Sequence, residues 1–315
     1  MKNKRKIWII GILCLAINAV SVYFFINRNS FGNFTRVASY DDLYSPVHNT
    51  SAELNKWKKV LRQYPKDQLK EAQKLTETYA GVKEQDPTLT KIIKIGSWLR
   101  RSFSKSEIGK PSDSFEKLSD IEQYKAAARA ESPVWCGTYG SQFLFFCSAN
   151  NITSRCIESK GVADNHIVNE SFIPELNQWV FSDLLNNVLY CKDSNNKIVN
   201  TIDLLYRNSQ KDTAAFIAYE QAGYDNMLVL PRKEYSRLWS TYLNADSKLY
   251  FYYTTDLKCV YNFTQKTIRY IYPKTWFELF SLTSVSNMTF YFRILFLYTG
   301  IVLFLIFIPL YLKRK

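Results

Sequence analysis

The chain has 315 residues, of which 47% are hydrophobic and 16% aromatic, a content that excludes an intrinsically disordered chain. Its formal charge is +13, yet no zinc-finger spacing or RNA-recognition run accompanies it, so nucleic acid is excluded as the partner. Lys2, Lys4, Arg5, Lys6, Lys313, Arg314 and Lys315 supply seven of these charges at the two tips; the remaining +6 suits an anionic surface or polymer nearby.

Residues 1–6 form a basic tip, and Ile7 to Ile26 follow as 20 largely apolar residues. That length crosses a hydrocarbon core of about 30 Å. The next residues, Asn27-Arg28-Asn29-Ser30, are not a small-residue cleavage site, which predicts an uncleaved transmembrane anchor. A second predicted span, Phe290 to Leu312, is closed by Lys313-Arg314-Lys315, and Arg293 near its start is placed to snorkel to the interface. Basic residues at both tips put both termini in the cytoplasm by the positive-inside rule. The main domain is then extracytoplasmic, and periplasmic if the source is a Gram-negative bacterium.

Residues 28–90 read as a helical N-terminal region. Ser51 is an N-cap for a helix bearing Leu54, Trp57, Val60 and Leu61, and Lys66 to Tyr79 continues the pattern. Residues 91–245 read as the main domain. Pro87 opens a helix through LTKIIKIGSWLRRSF, residues 104–113 are a loop, and Phe115 to Arg129 is a helix. Pro133 disfavours helix at Ser132, so a break falls just before Cys136. The run GTYGSQFLFFCSANN then predicts a buried helix ending near Asn150-Asn151, with Cys136 in its first turn. Unpaired N–H groups and the positive dipole end favour a thiolate there.

Ile152 to Lys160 predicts a strand. His166 to Ile173 and Gln178 to Asp183 predict a hairpin closed by Pro174-Glu175-Leu176-Asn177. Antiparallel pairing makes His166 and Asp183 neighbours although 17 residues separate them. Ile198 to Arg207, Thr213 to Gln221 and Lys233 to Leu243 read as helices. Residues 246–288 hold an aromatic β-ribbon, Lys248 to Pro273, suited to covering the core or to meeting a membrane interface.

Cys136, His166 and Asp183 are the candidate catalytic residues. A thiol nucleophile needs a base for its proton, and the base needs a third group to fix its tautomer. The backbone N–H of Cys136 is a natural oxyanion donor, with Trp98 or Gln142 as candidate side-chain partners. No metal-ligand cluster, P-loop or dinucleotide fingerprint is present, so neither a metal nor a cofactor is expected. Outside the first span lie Cys136, Cys147, Cys156, Cys191 and Cys259, an odd number that leaves one thiol unpaired in an oxidising compartment. Cys156 with Cys191 is the first pairing expected.

Trp135-Cys136-Gly137, then Arg155, then His166-Ile-Val-Asn-Glu170, then Trp179-Val-Phe-Ser-Asp183 resembles the transglutaminase-like superfamily over residues 90 to 207. The resemblance implies an α+β, papain-like core. A helix carrying the Cys packs on an antiparallel sheet carrying the His and Asp, here with an N-terminal helical part and two flanking transmembrane helices. It implies a Cys-His-Asp triad acting on an amide of a protein or peptide substrate, by hydrolysis or acyl transfer. Glu170, Trp179 and Arg155 are expected to support the fold. The sequence departs from the family pattern in lacking Ala-Trp after His166 and the usual acidic-aromatic set after Cys136. The competing expectation is a non-catalytic envelope binding or assembly module on the same scaffold.

Overall fold

The computed structural model describes residues 2–26, 35–38, 64–160, 165–193, 195, 197–209, 215–219, 227–230, 248–252, 277–280 and 288–312. The expected helices at Ser51 and at Lys233–Leu243, and the aromatic ribbon beyond Tyr252, lie outside the described residues. The chain divides into two compact units. One comprises Met1–Val37, Tyr261–Phe277 and Ser284–Lys315; the other comprises Ala38–Val260 and Glu278–Thr283. Short strands β1 (Thr35–Ala38) and β10 (Phe277–Phe280) are also formed.

The first unit holds helices α1 (Lys2–Ile26) and α8 (Met288–Leu312), which pack on each other. Their approach is close at small residues. A Cβ on Gly300 would lie 2.9 Å from Asn18 Oδ1, and one on Gly11 would lie 3.0 Å from Phe307 Cε2. Gly at such a contact lets two apolar helices approach without a bulky side chain between them. Among the described residues one stretch, Ile294–Leu312, is long and apolar enough to cross a membrane. The apolar part of α1, Ile7–Tyr23, starts where the expected span starts and is three residues shorter at its far end.

The second unit is α+β, with helices and antiparallel sheets. Helix α2 (Lys66–Leu75) continues as a wider π-type turn, Thr76–Ala80, which Gly81 ends with φ +68°. Helix α3 (Thr88–Ser102) starts directly after Pro87, as expected, and buries Ile92, Ile95, Trp98 and Leu99. The expected single helix at 115–129 is two: α4 (Asp113–Glu116) and α5 (Asp120–Ala128). The break arises because Ser119 and Glu122 form a capping box, which starts a new helix at Asp120. Helix α6 (Cys136–Ala149) runs through the core with Phe143, Leu144, Phe145, Phe146 and Cys147 all buried. Trp98, Tyr124 and Phe146 form an aromatic cluster around it, with ring centroids about 5 Å apart.

Strands β2 (Ser154–Lys160), β3 (Asn165–Ile173) and β4 (Gln178–Ser182) follow, then β5 (Val188–Lys192) and β6 (Ile198–Val199). Helix α7 (Thr201–Ser209), β7 (Ala215–Tyr219), β8 (Met227–Leu230) and β9 (Lys248–Tyr252) complete the unit. One antiparallel sheet contains the order β9-β2-β3-β4, and a second has the order β6-β5-β7-β8. Two expected helices are therefore corrected. Thr213 to Gln221 contains strand β7, because Phe216-Ile217 in Ala215–Tyr219 pair with both β5 and β8. Ile198 to Arg207 divides at Asn200, whose Oδ1 accepts from the Ile202 and Asp203 N–H groups and so caps α7.

Candidate active site

The chain entering α6 is held straight by a neighbouring segment. The Val134 N–H donates to Glu107 O at 2.8 Å, and the Gly109 N–H donates to Val134 O at 2.9 Å. Trp135 is extended (φ −134°, ψ −175°), and its side chain makes no cap hydrogen bond. Helix geometry therefore begins at Cys136, whose partly exposed side chain sits on the turn with unpaired N–H groups.

The β3–β4 hairpin turns through Pro174–Leu176 and Asn177, which takes the left-handed conformation at φ +50°. Its register pairs Asn169 with Ser182. Continued by one residue, that register sets Asp183 opposite Val168, and His166 lies two positions along on the same face. This diagonal places His166 Nε2 2.8 Å from Asp183 Oδ2, with both side chains buried. The Asp183 backbone is pinned by two 2.8 Å bonds with Val188. Asn186 holds the carboxylate itself: its N–H donates to Oδ1 at 3.3 Å and its Nδ2 to Oδ2 at 2.7 Å.

The Cys136 side chain is close enough to His166 to favour the charged form of the imidazole. With Nε2 committed to Asp183, Nδ1 is the nitrogen available to the thiol. Burial works to lower the His166 pKa, but the charge and hydrogen bond of Asp183, with those of Cys136, push it up to about 10. The sequence-predicted set Cys136, His166 and Asp183 is thus brought together in one place.

The other candidate residues are elsewhere. Gln142 is buried with its Nε2 donating to Asp120 O at 3.2 Å, and Trp98 packs edge-on against Phe146. Neither side chain is an oxyanion donor in this arrangement, because six and ten helical positions respectively turn Gln142 and the Phe146 contact away from Cys136. Arg155, Glu170 and Trp179 form a buried support, as expected. Arg155 donates to Glu170 Oε2 at 2.8 and 2.6 Å and lies 4.0 Å over the Trp179 ring, while Glu170 Oε1 accepts from the Thr201 N–H at 2.7 Å. One carboxylate therefore ties β2, β3 and the start of α7 together.

The expected Cys156–Cys191 bridge is not formed, and both thiols are free. Cys156 belongs to β2 and accepts from Asn169 Nδ2 at 3.3 Å, whereas Cys191 belongs to β5 in the other sheet. Asn169 Nδ2 also donates to Gly140 O at 3.1 Å, fastening α6 to β3. Burial pushes the Cys147 and Cys156 thiols up to about 12 and the Cys191 thiol well above its ordinary value.

Asn186 and Arg100 escaped the sequence reading. Asn186 follows Asp183 by three residues, a spacing at which an Asp side chain accepts from local backbone, and that was the available signal. Arg100 carried none, since its partners Tyr139, Leu185 and Asn187 are far away in sequence.

No protein-family profile matches the chain, and no curated protein does. A solved structure described as a "Putative Cysteine Protease from Cytophaga hutchinsonii" is similar to this chain at 18% identity, with a TM-score of 0.31 over 44% of each chain. The chain thus spans less than half the length of that protein. A likeness this weak does not establish a shared fold, and the case for the site rests on its geometry.

Proposed function

We propose that this chain is a membrane-anchored, transglutaminase-like thiol enzyme that acts on an amide bond of a protein or peptide through Cys136, His166 and Asp183. The observation that carries the reading is one buried imidazole that meets a carboxylate at 2.8 Å and is favoured in its charged form by the thiol at a helix N-terminus. With the thiol's proton already held by His166, the Cys136 sulfur attacks the amide carbonyl carbon as a thiolate. The oxyanion meets the N–H groups of the first turn of α6. As the C–N bond breaks, the imidazolium gives its proton to the departing amine and a thioester remains. His166 then takes a proton from water or from an amine as its oxygen or nitrogen attacks the thioester carbon; the C–S bond breaks, a carboxylic acid or a new amide departs, and the freed sulfur is again paired with the protonated imidazole. Asp183 fixes the imidazole and stabilises its charged form throughout.

In this reading α1 and α8 both anchor the chain, both termini are cytoplasmic, and the second unit faces the other side. The basic tips and the apolar length of Ile294–Leu312 support that arrangement. The test is activity profiling of the full-length protein with a thiol-directed, amide-mimetic probe, beside Cys136→Ala and His166→Ala. Labelling in the wild type, absent from Cys136→Ala and strongly reduced in His166→Ala, is expected. Wild-type labelling that both variants retain would overturn the proposal in favour of a non-catalytic module.

A further inference from the structure

Arg100 stands in the last turn of α3, and its partners lie on the helix that carries Cys136 and on the turn that follows Asp183. Its Nη1 donates to the Tyr139 hydroxyl at 3.0 Å, and Tyr139 follows Cys136 by one helical turn. The same nitrogen reaches Leu185 O at 3.4 Å, and Nε donates to Asn187 Oδ1 at 2.7 Å. Leu185 and Asn187 flank Asn186, which holds Asp183. The guanidinium also lies 5.1 Å from the Tyr139 ring centroid.

Every one of these partners is neutral. Burial keeps the Tyr139 phenol above its ordinary pKa against the pull of Arg100, so it supplies no counter-charge near neutral pH. Among the described residues, no carboxylate pairs with Arg100 and its Nη2 makes no hydrogen bond. The C-terminal dipole of α3 offsets part of the charge. An arginine is nevertheless always ionised, and half-burying it without an acid is costly unless a ligand brings one. The three neutral bonds hold the planar fork still and leave the two N–H groups of Nη2 to donate to a carboxylate.

We propose, resting on the thiol-enzyme reading above, that Arg100 is a specificity residue that binds a carboxylate of the amide substrate close to the bond attacked by Cys136. The substrate class is an acidic peptide or acyl-amino acid. The carboxylate is either an Asp or Glu side chain or a free C-terminus.

Four thiol probes test this on the full-length protein. N-iodoacetylglycine and its primary amide form one pair; N-iodoacetylaspartic 1-amide and N-iodoacetylasparagine amide form the other. The first pair presents a terminal carboxylate and the second a side-chain carboxylate. Alkylation of the Cys136 peptide is timed by mass spectrometry. In the wild type, the acid of at least one pair is expected to react on the order of tenfold faster than its amide, the gain of one charge-assisted pair. Arg100→Gln brings that ratio close to one, and Arg100→Lys leaves it in between.

A wild-type ratio near one overturns the inference. So does an unchanged ratio in Arg100→Gln, whatever happens to absolute rates, since that is the result of a guanidinium that only braces the 185–187 loop. Failure of the underlying thiol-enzyme reading looks different: Cys136 is not alkylated ahead of the other cysteines by acid or amide, and the inference falls with it.

Discussion

Asp183 and Asn186 share a short turn in which one side chain holds the other: Asn186 Nδ2 donates to Asp183 Oδ2 at 2.7 Å, the same oxygen that meets His166 Nε2. Asn186 Nδ2 also lies 3.4 Å from that ring nitrogen. The carboxylate that meets His166 is therefore aimed by Asn186. Asn186→Ala removes a donor from a buried carboxylate and is expected to destabilise the domain by about 1.5–3 kcal/mol. Asn186→Asp brings a second carboxylate to hydrogen-bonding distance, so its loss near neutral pH is larger and recovers on acidification, when a shared proton restores a donor. Urea unfolding at two pH values measures both. Equal stability of Asn186→Asp and Asn186→Ala near neutral pH would remove the positioning role.

His166 carries the pH prediction. Its folded-state pKa of about 10 lies above the ordinary 6.5. The stabilisation from its charged form is thus present in full below about pH 6.5 and is lost as pH rises through about 10. The melting temperature should decline across that window, and Asp183→Asn should flatten the decline. The chain has two histidines, His48 and His166, so imidazole ¹⁵N spectra are simple, and a His48→Ala variant assigns them. Titration of the His166 signal below its ordinary value would contradict the coupling to Asp183.

Among the described thiols outside α1, Cys136 is the one with an exposed face. Cys147 and Cys156, pushed up to about 12 by burial, are protonated near neutral pH, and Cys191 is held higher than its ordinary value in the same way. Limited iodoacetamide treatment followed by peptide mapping should modify Cys136 before these three. Modification of Cys147 or Cys156 ahead of Cys136 would mean that the core opens faster than the site reacts.

Much of the site was legible because its residues sit on local patterns. Pro133 sets the break before Cys136, and the His166–Asp183 hairpin shows strand composition around a Pro-led turn. Alternation then fixes which side chains share a face. What stayed hidden depends on partners distant in sequence. Strand β7 was read as helical because AFIAY has no decisive local preference; only pairing with β5 and β8 makes it a strand. Strand β5 went unread for the same reason. Arg100 reaches the site through tertiary contacts 39 to 87 positions away. The Ser119–Glu122 capping box, by contrast, was visible in the sequence and outweighed by the longer helical run around it.

Glu170 tests the support behind the site. It is fully buried, paired to Arg155, and bonded to the Thr201 N–H. Glu170→Ala strips Arg155 of its carboxylate and leaves the first turn of α7 without its acceptor. Breaking one side of a buried pair costs about 3–5 kcal/mol. Replacing both Arg155 and Glu170 by Met should cost less than Glu170→Ala alone, because no buried charge is then left behind. Thermal or urea unfolding distinguishes these outcomes, and a double variant less stable than the single one would show that the pair itself stabilises the fold.

Gly140 sets the distance between the helix that carries Cys136 and the strand that carries His166. A Cβ there would lie 2.9 Å from Ile167 Cγ2, while the Gly140 carbonyl accepts from Asn169 Nδ2 at 3.1 Å. In an open helix, Gly→Ala gains up to about 1 kcal/mol from propensity. Here the new methyl meets a β-branched side chain fixed in a paired strand, and overpacking of this kind costs about 1–3 kcal/mol. Overpacking wins, so Gly140→Ala should be destabilising by on the order of 1 kcal/mol. The larger effect is on chemistry. Moving α6 away from β3 displaces the sulfur from the imidazole, whereas His166 and Asp183 travel together on one sheet. Misplacement of about 1 Å lowers such reactions by up to about 100-fold. Probe labelling of Cys136 should therefore slow far more than stability falls, while the His166 ¹⁵N titration keeps the part of its elevation that comes from Asp183. Labelling of Gly140→Ala at the wild-type rate would mean that the helix-to-sheet spacing does not set the thiol–imidazole contact.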